Sequence, residues 1–193
     1  LFHIFHDSIA DGLAVLLPFW KAAFHLSLAQ VGLVITCFEG ATALFQIPAG
    51  LLGERYGERR LLTLGTLLTA ACFILVAFSG NVVALCILMV VGGLGASVQH
   101  PLAAAMISKA YMGNNQRIVL GTYNFTGDMG KFTFPAVAAV VLMFTDWQSR
   151  CVGYGVFGLV LAMVRYVALG QLPAPTITIE TDRTKTRPRG WGM

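Results

Sequence analysis

Long apolar stretches separated by short polar breaks make up most of the chain. Between Arg60 and Lys109, 48 consecutive residues contain no Asp, Glu, Lys or Arg. A single helix of that length would measure about 72 Å, more than twice the roughly 30 Å hydrocarbon core of a bilayer. The segment must therefore fold back on itself, and the polar turn at residues 79–81 lies near its middle. This pattern predicts helices that span a membrane.

The same pattern predicts an all-α integral membrane fold with six transmembrane helices over residues 1–170. The predicted spans cover about residues 2–24, 29–53, 61–79, 82–107, 118–144 and 150–170. The connections are short, so neighbouring helices must be antiparallel. Residues 171–193 are rich in Thr, Arg and Lys and offer nothing to build a core, which predicts a cytoplasmic linker.

Composition and charge predict a protein of the inner (plasma) membrane with its amino terminus inside. Hydrophobic residues make up 56% of the chain and charged residues 11%, whereas soluble domains carry roughly a quarter. With the amino terminus in the cytoplasm, the inner loops hold nine Lys and Arg residues and the outer loops hold two, Lys21 and Arg150. This asymmetry follows the positive-inside rule. Arg165, near the inner end of the last span, is expected to snorkel to the interface.

The remaining composition excludes several other classes of protein. The net charge of +4 comes from residues in the loops, so it indicates membrane orientation and not nucleic-acid binding. Four Cys residues lie singly in apolar runs without a CxxC pair, which argues against a thiol-redox enzyme. We expect no cofactor and no metal site. The chain does not begin with Met, and we expect it to be part of a longer protein.

The polar loop after the second span carries a recognisable motif. Residues 50–60 have the sequence Gly-Leu-Leu-Gly-Glu-Arg-Tyr-Gly-Glu-Arg-Arg. This resembles the signature loop of the major facilitator superfamily: Gly, three residues, an acid, Arg, any residue, Gly, then a basic cluster. Glu54 stands where Asp is usual, and Glu58 stands where a basic residue is usual. The resemblance implies an inner gate that includes Gly50, Glu54, Arg55, Gly57, Arg59 and Arg60.

Two further segments resemble the fosmidomycin-resistance-like branch of that superfamily. They are the Gly-rich, His-Pro-containing residues 92–101 in the fourth span and residues 121–130 in the fifth. The resemblance implies that these six helices form the amino-terminal half of a twelve-helix fold. Each half would consist of two inverted three-helix repeats, and the solute would bind at the midplane against a carboxyl-terminal six-helix half. It further places the first and fourth spans along the cavity and the second and fifth at its gates.

Several ionisable and polar side chains lie inside the predicted spans, where each costs at least about 2.5–3.5 kcal/mol. His3, Asp7 and Asp11 recur every fourth residue and so share one face of the first helix. The candidate solute and coupling residues are Asp7, Asp11, Glu39, His100, Asn124, Asp128 and Lys131. His3 and Asp7 could instead lie in the interfacial zone. Asp11, Asp128 and Lys131, deeper in their spans, could form an internal ion pair that only holds helices together; Asp128 and Lys131 are three residues apart on the same helix.

These observations predict a secondary active transporter of a small organic solute, coupled to protons, with drug or metabolite efflux as one form of that transport. Two other classes remain open. A channel would also line its pore with polar groups. An intramembrane enzyme would need a motif such as Gly-x-Ser-x-Gly or His-Glu-x-x-His, and neither occurs in the sequence, so we expect no enzyme activity.

Overall fold

The computed structural model describes residues 2–111, 113–142 and 145–170 of the chain. Within those residues, all regular secondary structure is α-helical, which confirms the predicted all-α class. The helices are α1 (Phe2–Ala23), α2 (Leu28–Tyr56), α3 (Glu58–Val76), α4 (Val82–Ala96), α5 (Gln99–Ala110), α6 (Gly113–Leu142) and α7 (Trp147–Gly170). The predicted linker over residues 171–193 lies outside the described residues.

The helices correspond to the six predicted spans, because α4 and α5 together make up the fourth. In the described part of the chain, α2, α3, the α4–α5 unit and α7 are long and apolar enough to cross a membrane. The other two helices, α1 and α6, contain 22 and 30 residues, or about 33 and 45 Å. They are also long enough to cross, but they carry most of the ionisable residues of the spans.

A two-residue break at Ser97 and Val98 separates α4 from α5. Pro101 explains its position, because a proline ring collides with the carbonyl four residues earlier, which here belongs to Ser97. The Ser97 hydroxyl donates a 2.7 Å hydrogen bond to the Leu94 carbonyl and so uses an acceptor near the end of α4. The sequence therefore sets the break one turn before the proline.

Polar side chains cap three of the helices at their amino ends. Ser27 and Gln30 form a capping box that starts α2, with bonds of 3.2 and 2.9 Å. Asn81 accepts from the Ala84 amide at the start of α4, and Asp146 accepts from the Ser149 amide at the start of α7. The hydrogen bonds from Ser149 hold the pKa of the Asp146 carboxyl below its usual value. These caps satisfy amides that the helices leave unpaired.

The pattern of packing between helices agrees with an internal repeat. The most extensive contacts join α3 to α7, α1 to α6 and α2 to α4. In such a repeat, spans one, two and three correspond to spans four, five and six. The α1–α6 contact, between spans one and five, then corresponds to the α2–α4 contact, between spans four and two. The α3–α7 contact, between spans three and six, corresponds to itself. One contact departs from this relation, because α3 packs closely on α4 whereas α1 touches α7 only slightly. The sequence alone contains no convincing repeat of residues.

Glycine allows the closest of these approaches. A Cβ added at Gly95 would lie 2.6 Å from the Gly65 carbonyl oxygen, and one added at Gly155 would lie 2.6 Å from the Ala70 carbonyl oxygen. These glycines bring α4 and α7 against α3, as small residues do when helices associate in lipid. Large side chains fill the remaining interior, including Leu16, Trp20, Phe38, Phe73, Leu85 and Met89.

Candidate functional site

One face of α6 carries the polar residues that the sequence places there. Gly121, Asn124, Asp128 and Lys131 are all exposed and follow helical spacing, so they form one stripe. The ammonium of Lys131 donates a 2.9 Å hydrogen bond to Asp128 Oδ1, within the same helix. The predicted pairing between Asp128 and Lys131 is therefore present in the structure.

Both members of this ion pair are exposed. The side chains of Lys131 and Asp128 are 44% and 62% exposed, so the pair is accessible from outside α6. Facing hydrocarbon, such charges would cost at least about 2.5–3.5 kcal/mol each. The stripe is thus better suited to an aqueous cavity or to a polar surface of another part of the protein than to the lipid.

The acidic residues of the first span belong to a helix that packs along α6. Asp7 and Asp11 lie on α1 together with His3, but their side chains are outside the part of the chain that the structure describes. The structure therefore brings together the two helices that carry the charged residues.

The other two candidates lie on separate helices. Glu39 is exposed on α2, and His100 is exposed at the start of α5, next to the fully buried Gln99. Neither residue belongs to a metal-binding cluster, since no three His, Cys, Asp or Glu side chains come together in the described parts of the chain.

A buried polar network, which the sequence did not indicate, joins four helices. One guanidinium nitrogen of Arg165 on α7 donates to Gln99 Oε1 on α5 at 2.9 Å and to Thr66 Oγ1 on α3 at 3.2 Å. The Gln99 amide nitrogen in turn donates to the Tyr123 hydroxyl on α6 at 2.9 Å. Tyr123 lies between Gly121 and Asn124 in sequence, so the network reaches the helix that bears the polar stripe.

This network corrects the expectation for Arg165. Snorkelling would leave its guanidinium at the interface, yet Arg165 is only 6% exposed and its side chain extends into the bundle. Side-chain oxygens from two other helices solvate it there, which a charged group needs in an apolar interior. The position of Arg165 near the end of its span is compatible with both snorkelling and burial. The oxygens that accept its hydrogen bonds come from distant parts of the sequence, so the sequence around Arg165 does not indicate them.

The connection in the segment that was predicted as an inner gate is shorter than the sequence predicts. Residues 54–60 were expected to form a loop, but α2 continues to Tyr56 and α3 begins at Glu58. Gly57 alone connects the two helices. Its φ is 90°, a backbone conformation that residues with a Cβ rarely adopt. This backbone conformation explains why the motif has glycine at position 57. The charged residues Glu54, Arg55, Arg59 and Arg60 all lie on helices.

Contacts made by the gate residues tie α3 to its neighbours. Glu58, the unusual acid of the motif, forms an ion pair with Lys109 at the end of α5. Arg59 donates to the Tyr166 carbonyl on α7, and its guanidinium lies 4.7 Å from the centre of the Tyr166 ring. The sequence did not indicate this pairing of Glu58 with Lys109, although their opposite charges lie at the ends of neighbouring spans.

The first part of the motif faces α5. The Gly50 backbone lies near Pro101, since a Cβ added to Gly50 would be 3.9 Å from the proline Cβ. Glu54, one turn further along α2, is exposed and has no ion-pair partner among the described residues. Arg55 is also exposed, and its guanidinium lies 5.4 Å from the ring centre of Tyr56.

Comparison with known proteins agrees with this architecture. Residues 2–191 match the profile of the Major Facilitator Superfamily. The chain is 24% identical over 164 residues to the fosmidomycin resistance protein of Escherichia coli, covering 85% of this chain and 40% of that protein. It is 29% identical over 168 residues to mouse vesicular glutamate transporter 2, covering 84% and 29%. It is 23% identical over 170 residues to the hexuronate transporter of Bacillus subtilis, covering 86% and 40%.

The fold and the placement of the motif define an all-helical membrane protein. The chain belongs to the major facilitator superfamily, whose profile matches nearly its whole length. It spans 29% to 40% of the length of the relatives named above. The resemblance predicted from residues 50–60 is thereby confirmed at the level of the family.

Proposed function

We propose that the protein is a secondary active transporter that moves a small organic solute across the cytoplasmic membrane, coupled to protons. Membership of the superfamily supports solute transport across a membrane. The observation that carries the coupling proposal is the exposed Asp128–Lys131 ion pair on α6. An ion pair with this exposure can be reached by water, by the solute or by another part of the protein.

The mechanism follows from this exposed pair. Protonation of Asp128 removes its attraction to Lys131 and so changes the balance of charges around the ammonium. If the outward-open and inward-open states supply different partners, protonation shifts the equilibrium between them. Asp7 and Asp11 on the adjacent helix α1 are the proposed alternative partners, and His100, Glu39 and Asn124 are proposed to line the same cavity.

The gate proposal rests on how α2, α3 and α5 meet. Gly57 provides a tight link, Glu58 holds the end of α5 through Lys109, and Glu54 remains exposed. We propose that Glu54 and Arg55 contact the carboxyl-terminal half when the cytoplasmic side is closed. In this arrangement residues 1–170 form one half of the carrier, residues 171–193 link it to the other, and the amino terminus is cytoplasmic.

The names of several relatives suggest which solutes to test first. Besides fosmidomycin resistance, they include transporters named for L-galactonate, hexuronate, sulfoacetate and glutamate. These names support a small organic acid as the first class to test, and efflux of fosmidomycin as the second.

The test uses the complete protein in liposomes with an imposed pH gradient. Uptake or release of a labelled organic acid should follow the gradient and collapse when a protonophore dissipates it. Solute movement that ignores the gradient would contradict coupling. Ion currents far above carrier turnover would favour a channel instead. Residues 1–193 alone should insert without transporting, because the cavity would lack its opposite wall.

A further inference from the structure

A groove on the side of the bundle, between α3 and α7, is separate from the polar face of α6. Its volume is about 410 Å³, and Thr63, Leu64 and Leu67 from α3 line it with Met163 from α7. Leu64 and Met163 are 62% and 72% exposed. In a membrane protein, an open apolar groove of this kind is complementary to hydrocarbon.

The groove has a polar, positively charged end. Arg60 and Tyr166 line it there, and Arg59 stacks on the same tyrosine ring. Arg60 and Leu67 are seven residues apart, so the groove runs about 10 Å from the arginine into the apolar region. Arg and Tyr at one end with aliphatic side chains beyond them is the arrangement found where a helix crosses the membrane–water interface.

The charge at this end is not neutralised locally. Glu58, the acid nearest to the two arginines in α3, already pairs with Lys109. Arg60 is exposed and makes no ion pair with any described residue. A ligand that supplies a negative charge at the mouth and hydrocarbon below it therefore matches the groove in both respects.

We propose that this groove binds an anionic glycerophospholipid, with its phosphate at Arg60 and one acyl chain along Leu64, Leu67 and Met163. Basic pockets between membrane helices bind anionic headgroups in this way. Such a lipid would brace α3 against α7 beside the gate residues. The site is distinct from the proposed solute site, and its occupancy does not depend on which solute is carried.

The test is native mass spectrometry of the complete, detergent-purified protein with phosphatidylglycerol or phosphatidylcholine of identical acyl chains. The wild type should retain phosphatidylglycerol about five-fold more strongly, as expected for one arginine near an anionic headgroup. Arg60→Gln should reduce this retention to the phosphatidylcholine level. The matched control Arg117→Gln removes an exposed charge on α6, away from the groove, and should leave retention unchanged.

A second pair of variants tests the apolar part of the groove. Leu64→Trp should fill it and weaken retention of both lipids, whereas Leu33→Trp, at an exposed position on α2, should not. Equal effects of Arg60→Gln and Arg117→Gln, or equal retention of the two lipids, would overturn the proposal. Displacement of the lipid by excess glycerol phosphate would show that the site binds anions without an acyl chain, and this would contradict the lipid proposal. If Leu64→Trp changes self-association and leaves lipid retention unaltered, a protein surface and not a lipid covers the groove. This result would also contradict the proposal.

Discussion

The guanidinium of Arg165 donates a 2.9 Å hydrogen bond to the amide oxygen of Gln99, and both residues are buried. This bond joins the last span to the fourth, 66 residues away in sequence. The amide nitrogen of Gln99 donates a hydrogen bond to the Tyr123 hydroxyl on α6. The orientation of one amide is thus fixed from both sides, and it couples the α3–α7 pair to the helix with the proposed coupling residues.

The first prediction concerns this bond. Arg165→Met should lower the free energy of unfolding by about 1–3 kcal/mol, because it leaves the buried Gln99 oxygen without its charged donor. The double change with Gln99→Leu should cost less than the sum of the single changes. Thermal unfolding in detergent measures both. The control Arg117→Met, at an exposed position, should stay within about 0.5 kcal/mol of the wild type, and strictly additive losses at 165 and 99 would argue against the coupling.

Much of the fold could be predicted because it depends on properties that are local in sequence. Apolar runs and short polar breaks determine where helices begin and end, and Pro101 explains the break that precedes it. The pairing of Asp128 with Lys131 was also predictable, since three residues along a helix place both side chains on one face. The family resemblance required only the eleven residues of the motif loop, residues 50–60.

The remaining features depend on contacts between distant segments. The Thr66 and Gln99 oxygens meet Arg165 only after three helices pack, so the sequence suggested a snorkelling arginine. The gate was expected to be a loop because its residues are polar. Since Gly57 can adopt a positive φ, one residue is enough to reverse the chain, and the charged residues on both sides remain helical.

The second prediction concerns the ion pair between Glu58 and Lys109. Lys109 is about half exposed, so Glu58→Gln should change the free energy of unfolding by no more than about 1 kcal/mol. Its effect on the gate should be larger, since the pair ties α3 to α5. Glu58→Lys should slow transport by the complete protein, and adding Lys109→Glu should restore it. Failure of the exchanged pair to recover transport, at equal membrane abundance, would count against an electrostatic tie.

The third prediction concerns Glu54, which is exposed at the carboxyl end of α2. An acid there is disfavoured by the helix dipole and should have a partner in the other half of the carrier. Glu54→Gln should shift the complete protein toward its inward-open state while inserting normally. Accessibility of single cysteines on the two membrane faces measures the shift. Unaltered accessibility on both faces would remove Glu54 from the gate.

The fourth prediction concerns orientation in the membrane. The asymmetry of nine inner to two outer Lys and Arg residues predicts that the α3–α4 turn is outside and the α5–α6 connection is inside. A reporter that is active only outside should give signal at Asn81 and none at Asn114. Signal at Asn114 instead would invert the topology and move the proposed gate to the outer face.

The last prediction separates two roles for Lys131. Counted from Gly113, it lies 18 residues into α6, or about 27 Å along the helix, too far from that end for easy snorkelling. If its ion pair with Asp128 is only structural, Lys131→Met alone should impair folding, and the double change with Asp128→Asn should restore folding and transport. The 44% exposure of the Lys131 side chain supports the other role, because a pair that only holds helices together would be buried between them. In that case the double variant should regain membrane abundance but lose transport driven by a pH gradient, while exchange of solute without a gradient persists. Membrane abundance and pH-driven transport are compared for the two single variants and the double variant of the complete protein. Full recovery of pH-driven transport in the double variant would contradict a coupling role and leave the pair as a structural contact.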